Sequence, residues 1–97
     1  MRYAIILAPE AAEDFRALKA NFRSIVREAL ETHLRHAPAK VSKSRIKRLR
    51  GLSRPQYRLR VGEIRVFYDV TDTTVEILAI VQKSEAKSWL AQFASPE

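Results

Sequence analysis

The chain has no cysteine, which rules out disulfides, a thiolate zinc site and a thiol nucleophile, and nothing points to an oxidising compartment. It has no long apolar run either. The opening stretch Tyr3-Ala4-Ile5-Ile6-Leu7-Ala8 is too short for a signal peptide or a membrane span, so a cytoplasmic protein with no membrane association is expected. No repeat or low-complexity tract interrupts the ninety-seven residues, which suffice for one small domain, 1–97, that buries a core without metals. The two histidines, His33 and His36, stand three apart with no third ligand at metal-binding spacing, and neither a metal nor another cofactor is expected. The scarcity with most consequence is local. Residues 40–65 contain one acid, Glu63, against ten of the eighteen lysines and arginines, so this window carries +9 and the remainder of the chain −2. Such a block suits a nucleic-acid or acidic-protein partner, with affinity that falls as salt rises. Its alternative is a solvated basic face kept for solubility.

Within that window the run Tyr57-Arg58-Leu59-Arg60-Val61-Gly62-Glu63-Ile64-Arg65-Val66-Phe67-Tyr68 alternates strictly. Tyr57, Leu59, Val61, Ile64, Val66 and Tyr68 fall on one face and Arg58, Arg60 and Arg65 on the other. A two-residue Gly62-Glu63 turn of type II′ sets Arg60 opposite Arg65 and Arg58 opposite Phe67. Like charges facing each other weaken a sheet, so their placement points to an anionic ligand, phosphate first.

The remaining pattern supplies a scaffold. Tyr3 to Leu7 reads as a strand, and Pro9 opens a helix with Ala11, Phe15, Leu18 and Phe22 at helical spacing, ending or bending at Asn21. A second helix starts near Ser24 and is terminated by Pro38. Residues 38–54 read as a basic connector. Strands follow over 57–61, 64–70 and 74–81, the last one apolar enough to be buried on both faces, and then a helix from Glu85 to Phe93. The expected fold is α+β: an antiparallel four-stranded sheet in β-α-α-β-β-β-α order, covered by an N-terminal helix pair.

The segment Arg48-Leu49-Arg50-Gly51-Leu52 followed by the hairpin closely resembles the corresponding stretch of RelE/ParE-type toxins, the toxin halves of bacterial type II toxin–antitoxin modules. RelE-like members enter the ribosome and cut mRNA without a metal, the 2′-hydroxyl attacking the adjacent phosphate. The resemblance implies that Arg58 and Arg60 contact the scissile phosphate and that Arg65 stabilises the transition state. Lys83 falls near a further arginine position and Trp89 near a tyrosine position, although Gln82-Lys83-Ser84-Glu85-Ala86-Lys87-Ser88-Trp89 departs from the usual pattern. Because arginine is no base at neutral pH, Lys83 is the candidate proton acceptor, with an ordinary lysine after a strand as the alternative. Lys43, Arg45, Lys47, Arg48 and Arg50 are candidate guides for RNA backbone, and Phe67 either stacks on a base or is covered by Trp89.

ParE-like relatives share the fold but block DNA gyrase by binding, and a non-toxic nucleic-acid-binding relative also fits. The resemblance further implies a cognate acidic antitoxin as partner, in a hetero-oligomer, alongside the ribosome and mRNA as targets.

Overall fold

Four residues form the first strand, β1 (Ala4–Leu7), and Pro9, which suits a first helical turn, then begins α1 (Pro9–Ala17). The computed structural model describes residues 1–97 and continues with α2 (Ala20–Leu34), β2 (Ile46–Arg48), β3 (Leu52–Arg54), β4 (Tyr57–Val61), β5 (Ile64–Val70), β6 (Thr74–Gln82), α3 (Lys83–Phe93) and β7 (Ser95–Pro96). The α+β class and the helical cover on one face hold. The sheet itself differs from the four antiparallel strands read from the sequence: it has five, in the order β1-β6-β5-β4-β2, and β1 lies parallel to β6.

The fifth strand comes out of the basic connector. Ile46 is its one buried residue and sits opposite Leu59, so β2 gives the core an apolar side chain while capping the outer edge of the hairpin. The rest of the connector supplies β3, which pairs with β7 near the C-terminus in a separate two-stranded ribbon.

The helix break falls at Leu18-Lys19, ahead of the Asn21–Ser24 position read from the sequence, and Phe22 lies exposed on α2. Both break residues are extended, and Leu18 packs against the core. Neither helix start has a side-chain cap, so the ordinary capping signature is missing. α1 lies over β6 and β1, and α2 over β4. Between helices and sheet, Ala11, Val26, Leu30 and Leu34 meet Leu59, Val66, Tyr68, Val75 and Ile77, all buried. Tyr57 and Tyr68 belong to this face as the alternation requires, their rings stacked at 5.5 Å. The Tyr68 hydroxyl donates to the Pro38 carbonyl at 2.7 Å, and burial pushes its pKa above the ordinary tyrosine value.

A bulge between β5 and β6 shifts the pairing from Phe67 opposite Ala79 to Tyr68 opposite Ile77. Leu78, Ala79 and Ile80 are consequently all buried in succession, on a central strand covered on both sides. The second cover is α3, whose Trp89 lies against Phe67 on the face away from α1 and α2. No helix is long and apolar enough to cross a membrane.

Candidate functional site

β4 and β5 meet in the register that the alternation dictates: Arg60 stands opposite Arg65, and Arg58 opposite Phe67. Gly62 takes φ +58° and Glu63 keeps a negative φ, as a type II′ turn requires. β2 then widens the cationic face. Lys47 pairs with Arg58, and the Arg60 N–H donates to the Arg45 carbonyl at 2.8 Å.

The three arginines differ in environment. Arg60 is exposed and Arg58 half-buried. Arg65 is only 6% exposed, and its Nη1 donates to the carbonyls of Gly62 at 2.8 Å and Ile64 at 3.0 Å. These bonds fix the guanidinium on the turn and leave Nη2 and Nε uncommitted. Burial lowers the Arg65 pKa, and the like charges of Arg58 and Arg60 lower it further, against a smaller opposing effect of Glu63. None of Arg58, Arg60, Arg65, Lys47 or Lys83 forms an ion pair; the chain's ion pairs involve Arg35, Arg48 and Arg54. The Nε of Arg58 is buried and has no hydrogen-bond partner. A buried donor without an acceptor costs about 1–3 kcal/mol, a cost that an anionic ligand's oxygen would relieve.

Lys83 is the first residue of α3, exposed, and its N–H donates to the Glu63 carbonyl at 2.7 Å. The turn therefore brings Lys83 beside the hairpin. It also brings Glu63, which the sequence marks as a turn residue and the lone acid of the basic window but not as a site residue. Phe67 is wholly buried, its ring stacked on Trp89 at 5.0 Å and 5°. Half-buried Trp89 is the member of that pair with a surface open to solvent.

The outlying cations divide. Lys43 and Arg50 are exposed loop residues. Arg45 acts on α2 as well as the sheet: together with the larger effect of burial, its charge lowers the His33 pKa. Arg48 is structural, with Nη1 donating to Leu49 and Gln56 carbonyls at 3.1 and 2.8 Å and its guanidinium over the Tyr57 ring at 5.4 Å. Arg54, never a site candidate, bridges Asp69 and Glu76 at 3.4 Å each, closing the far end of this face.

A half-open sheet bearing a cluster of arginines without ion pairs, with a single helix laid across part of it, marks a class of small basic α+β domains. Residues 5–87 match the ParE toxin of the type II toxin–antitoxin system, parDE, and the chain belongs to that family. Among solved structures it is similar to the toxin–antitoxin complex RelBE2 of Mycobacterium tuberculosis, with 26% identity and a TM-score of 0.69 over 84% of this chain and 99% of that one. It shares its fold with the RelE–RelB complex of Pyrococcus horikoshii OT3 (23% identity, TM-score 0.69, 86% of this chain and 97% of that one). The fold also recurs in the YoeB dimer of Staphylococcus aureus (22% identity, TM-score 0.61, 81% and 94%). No curated protein matches the sequence.

Proposed function

We propose that this protein is the toxin of a type II module and that its arginine face acts on mRNA at the ribosome as a metal-independent endonuclease. The observation that carries this reading is the uncompensated cluster itself: three guanidiniums on two paired strands, no carboxylate bound to any of them, and one buried donor without an acceptor. In the proposed reaction the 2′-hydroxyl attacks the adjacent phosphorus, the P–O5′ bond breaks, and a 2′,3′-cyclic phosphate and a 5′-hydroxyl result. Arg58 and Arg60 grip the phosphate. Arg65, held in place by two carbonyls before any substrate arrives, offers its remaining donors to the charge that develops on the phosphorane. Lys83, acting as the free amine, takes the 2′-hydroxyl proton, and water supplies the proton that the departing 5′-oxygen needs. Lys43, Lys47 and Arg50 steer the backbone.

The partner follows from the relatives. The related chain from M. tuberculosis is found in a toxin–antitoxin complex, and an acidic antitoxin would neutralise the +9 window here.

Primer extension on a defined mRNA in a cell-free translation reaction tests the proposal. Cuts at ribosome-occupied codons that vanish in Arg65→Ala support it; intact mRNA at full translation refutes it. A second reading, inhibition of DNA gyrase by binding, is favoured by the ParE identity of the matching family. A supercoiling assay separates the two, since inhibition of gyrase with mRNA left whole selects the binder.

A further inference from the structure

A cleft of about 450 Å³ opens between the start of α1 and α3, reaching along β6 as far as Val81, the residue opposite Arg65. Its apolar lining includes Leu78, Val81, Trp89 and Phe93, and Glu10, Glu13 and Asp14 supply its acids. Phe93 is 60% exposed and forms part of the apolar wall of the cleft. It lies 5.5 Å from the Trp89 ring, tilted by 37°. The carboxylates of Glu10 and Glu13 have neither ion pair nor hydrogen bond, in a chain with eighteen lysines and arginines. Glu10 gains from the first-turn helix dipole, but Glu13 lies beyond that turn, where the benefit has faded. The one cation at the rim, Arg54, is already held by Asp69 and Glu76.

The cleft adjoins a sheet edge that is closed to strand addition at this point. Pairing of β1 with β6 stops at Leu7 opposite Ile77, and three residues on, Asp14 Oδ2 accepts the Ile80 N–H at 3.0 Å. A carboxylate thus occupies the place of a neighbouring strand's carbonyl, and a guest enters with side chains rather than backbone.

Aromatic rings beside unpaired carboxylates recognise a cation set in apolar surroundings. We propose that the cleft receives one basic side chain, arginine or lysine, carried between bulky apolar residues on a segment of a partner protein. The identity of that partner as the antitoxin rests on the toxin reading above; the chemistry of the cleft does not. Trp89 joins the two surfaces, because it lines the cleft and also lies on Phe67, the residue opposite Arg58. One antitoxin segment therefore reaches both, with acidic residues over the arginines and a basic anchor in the cleft.

Trp89 is the only tryptophan, so its emission reports occupancy directly. The full-length chain is titrated with three synthetic peptides of equal length, identical except for a central Arg, Gln or Glu between leucines. The Arg peptide is expected to shift the emission saturably and to bind at least about tenfold more tightly than the Glu peptide. In Glu10→Gln/Glu13→Gln, with an unchanged circular dichroism spectrum, that preference falls to less than about twofold. Phe93→Ala weakens all three peptides. No saturable shift, equal affinities, or a preference that survives the double variant overturns the proposal. So does argininamide binding as tightly as the peptide, which would make this a small-cation site, or dimerisation that itself shifts the emission, which would make the occupant a second copy. Success here with intact mRNA in the translation assay leaves the cleft standing and removes the nuclease; the opposite pair of results does the reverse.

Discussion

Replacing Arg65 with methionine should leave stability nearly unchanged while abolishing activity. The substitution removes two bonds to the carbonyls of Gly62 and Ile64, which as charge-assisted hydrogen bonds are worth about 1.5–3 kcal/mol each, less what water restores at an exposed turn. Against this, the parent holds a nearly buried cation directly across from Arg60 and diagonal to Arg58. The opposed charges repel, and screening by water at exposed Arg60 holds that repulsion to about 1–2 kcal/mol. The diagonal neighbour and the desolvation of Arg65 add to the repulsive side. The opposing effects nearly cancel, and a change within about 1 kcal/mol of zero is expected. Urea unfolding measures it. Salt provides an independent signature: between about 0.01 and 1 M the screening length falls from about 30 to 3 Å, so the parent should gain stability relative to Arg65→Met. A loss above about 3 kcal/mol, with equal salt dependence of the two proteins, would show that Arg65 serves chiefly as a structural clamp on the turn.

Trp89→Ala should weaken the protein by about 2–3 kcal/mol and expose Phe67, seen as lost near-ultraviolet dichroism, whereas Phe93→Ala should cost under about 1 kcal/mol. His33 titrates below its ordinary 6.5 because burial, and then Arg45, disfavour its charged form. The unfolded chain therefore binds that proton first, so stability due to this group is present above pH 6.5 and declines as pH falls through the lowered value. In Arg45→Gln the His33 titration followed by NMR should move back toward 6.5; an unmoved titration would show that the two do not interact. Neutralising Lys43, Lys47 and Arg50 together should weaken binding of single-stranded RNA and flatten the log–log salt slope by about 0.7 for each lost contact. An unchanged slope would place the RNA elsewhere.

The hairpin was legible because two independent signals agree there: a strict period of two over five residues on each side, and a glycine where the turn needs positive φ. The stacked tyrosines follow from the same alternation. β2 and β3 were not legible, since each is three residues long and Ile46-Lys47-Arg48 shows one apolar position inside a run of charge. The helix break at Leu18-Lys19 has no proline, glycine or capping side chain to mark it. The place of β1 beside β6 is a long-range choice that periodicity does not encode. Likewise the bulge at Leu78 turned an alternating strand into a continuous apolar run, which tells of burial on both faces but not of which residue meets which layer. The surroundings of Arg58, Arg60 and Arg65 could be placed on a face but not ranked by burial, because burial there depends on how α3 lies. The acid-rimmed cleft gathers residues from α1, the end of β3, β6 and α3, and no local pattern announces it.

The parallel pairing of β1 with β6 joins Ala4 to Thr74, across most of the chain. Strands β4, β5 and β6, in contrast, are joined by tight turns. Closing a short loop costs less entropy than closing one of some seventy residues, so the two halves of the sheet have different folding schedules. The arginine-bearing meander assembles from neighbours, while β1 waits for β6 before it finds a partner. On a chain growing from its N-terminus, the first strand made is the last of the five-stranded sheet to be paired, and α1 has no sheet to settle on until β6 is complete.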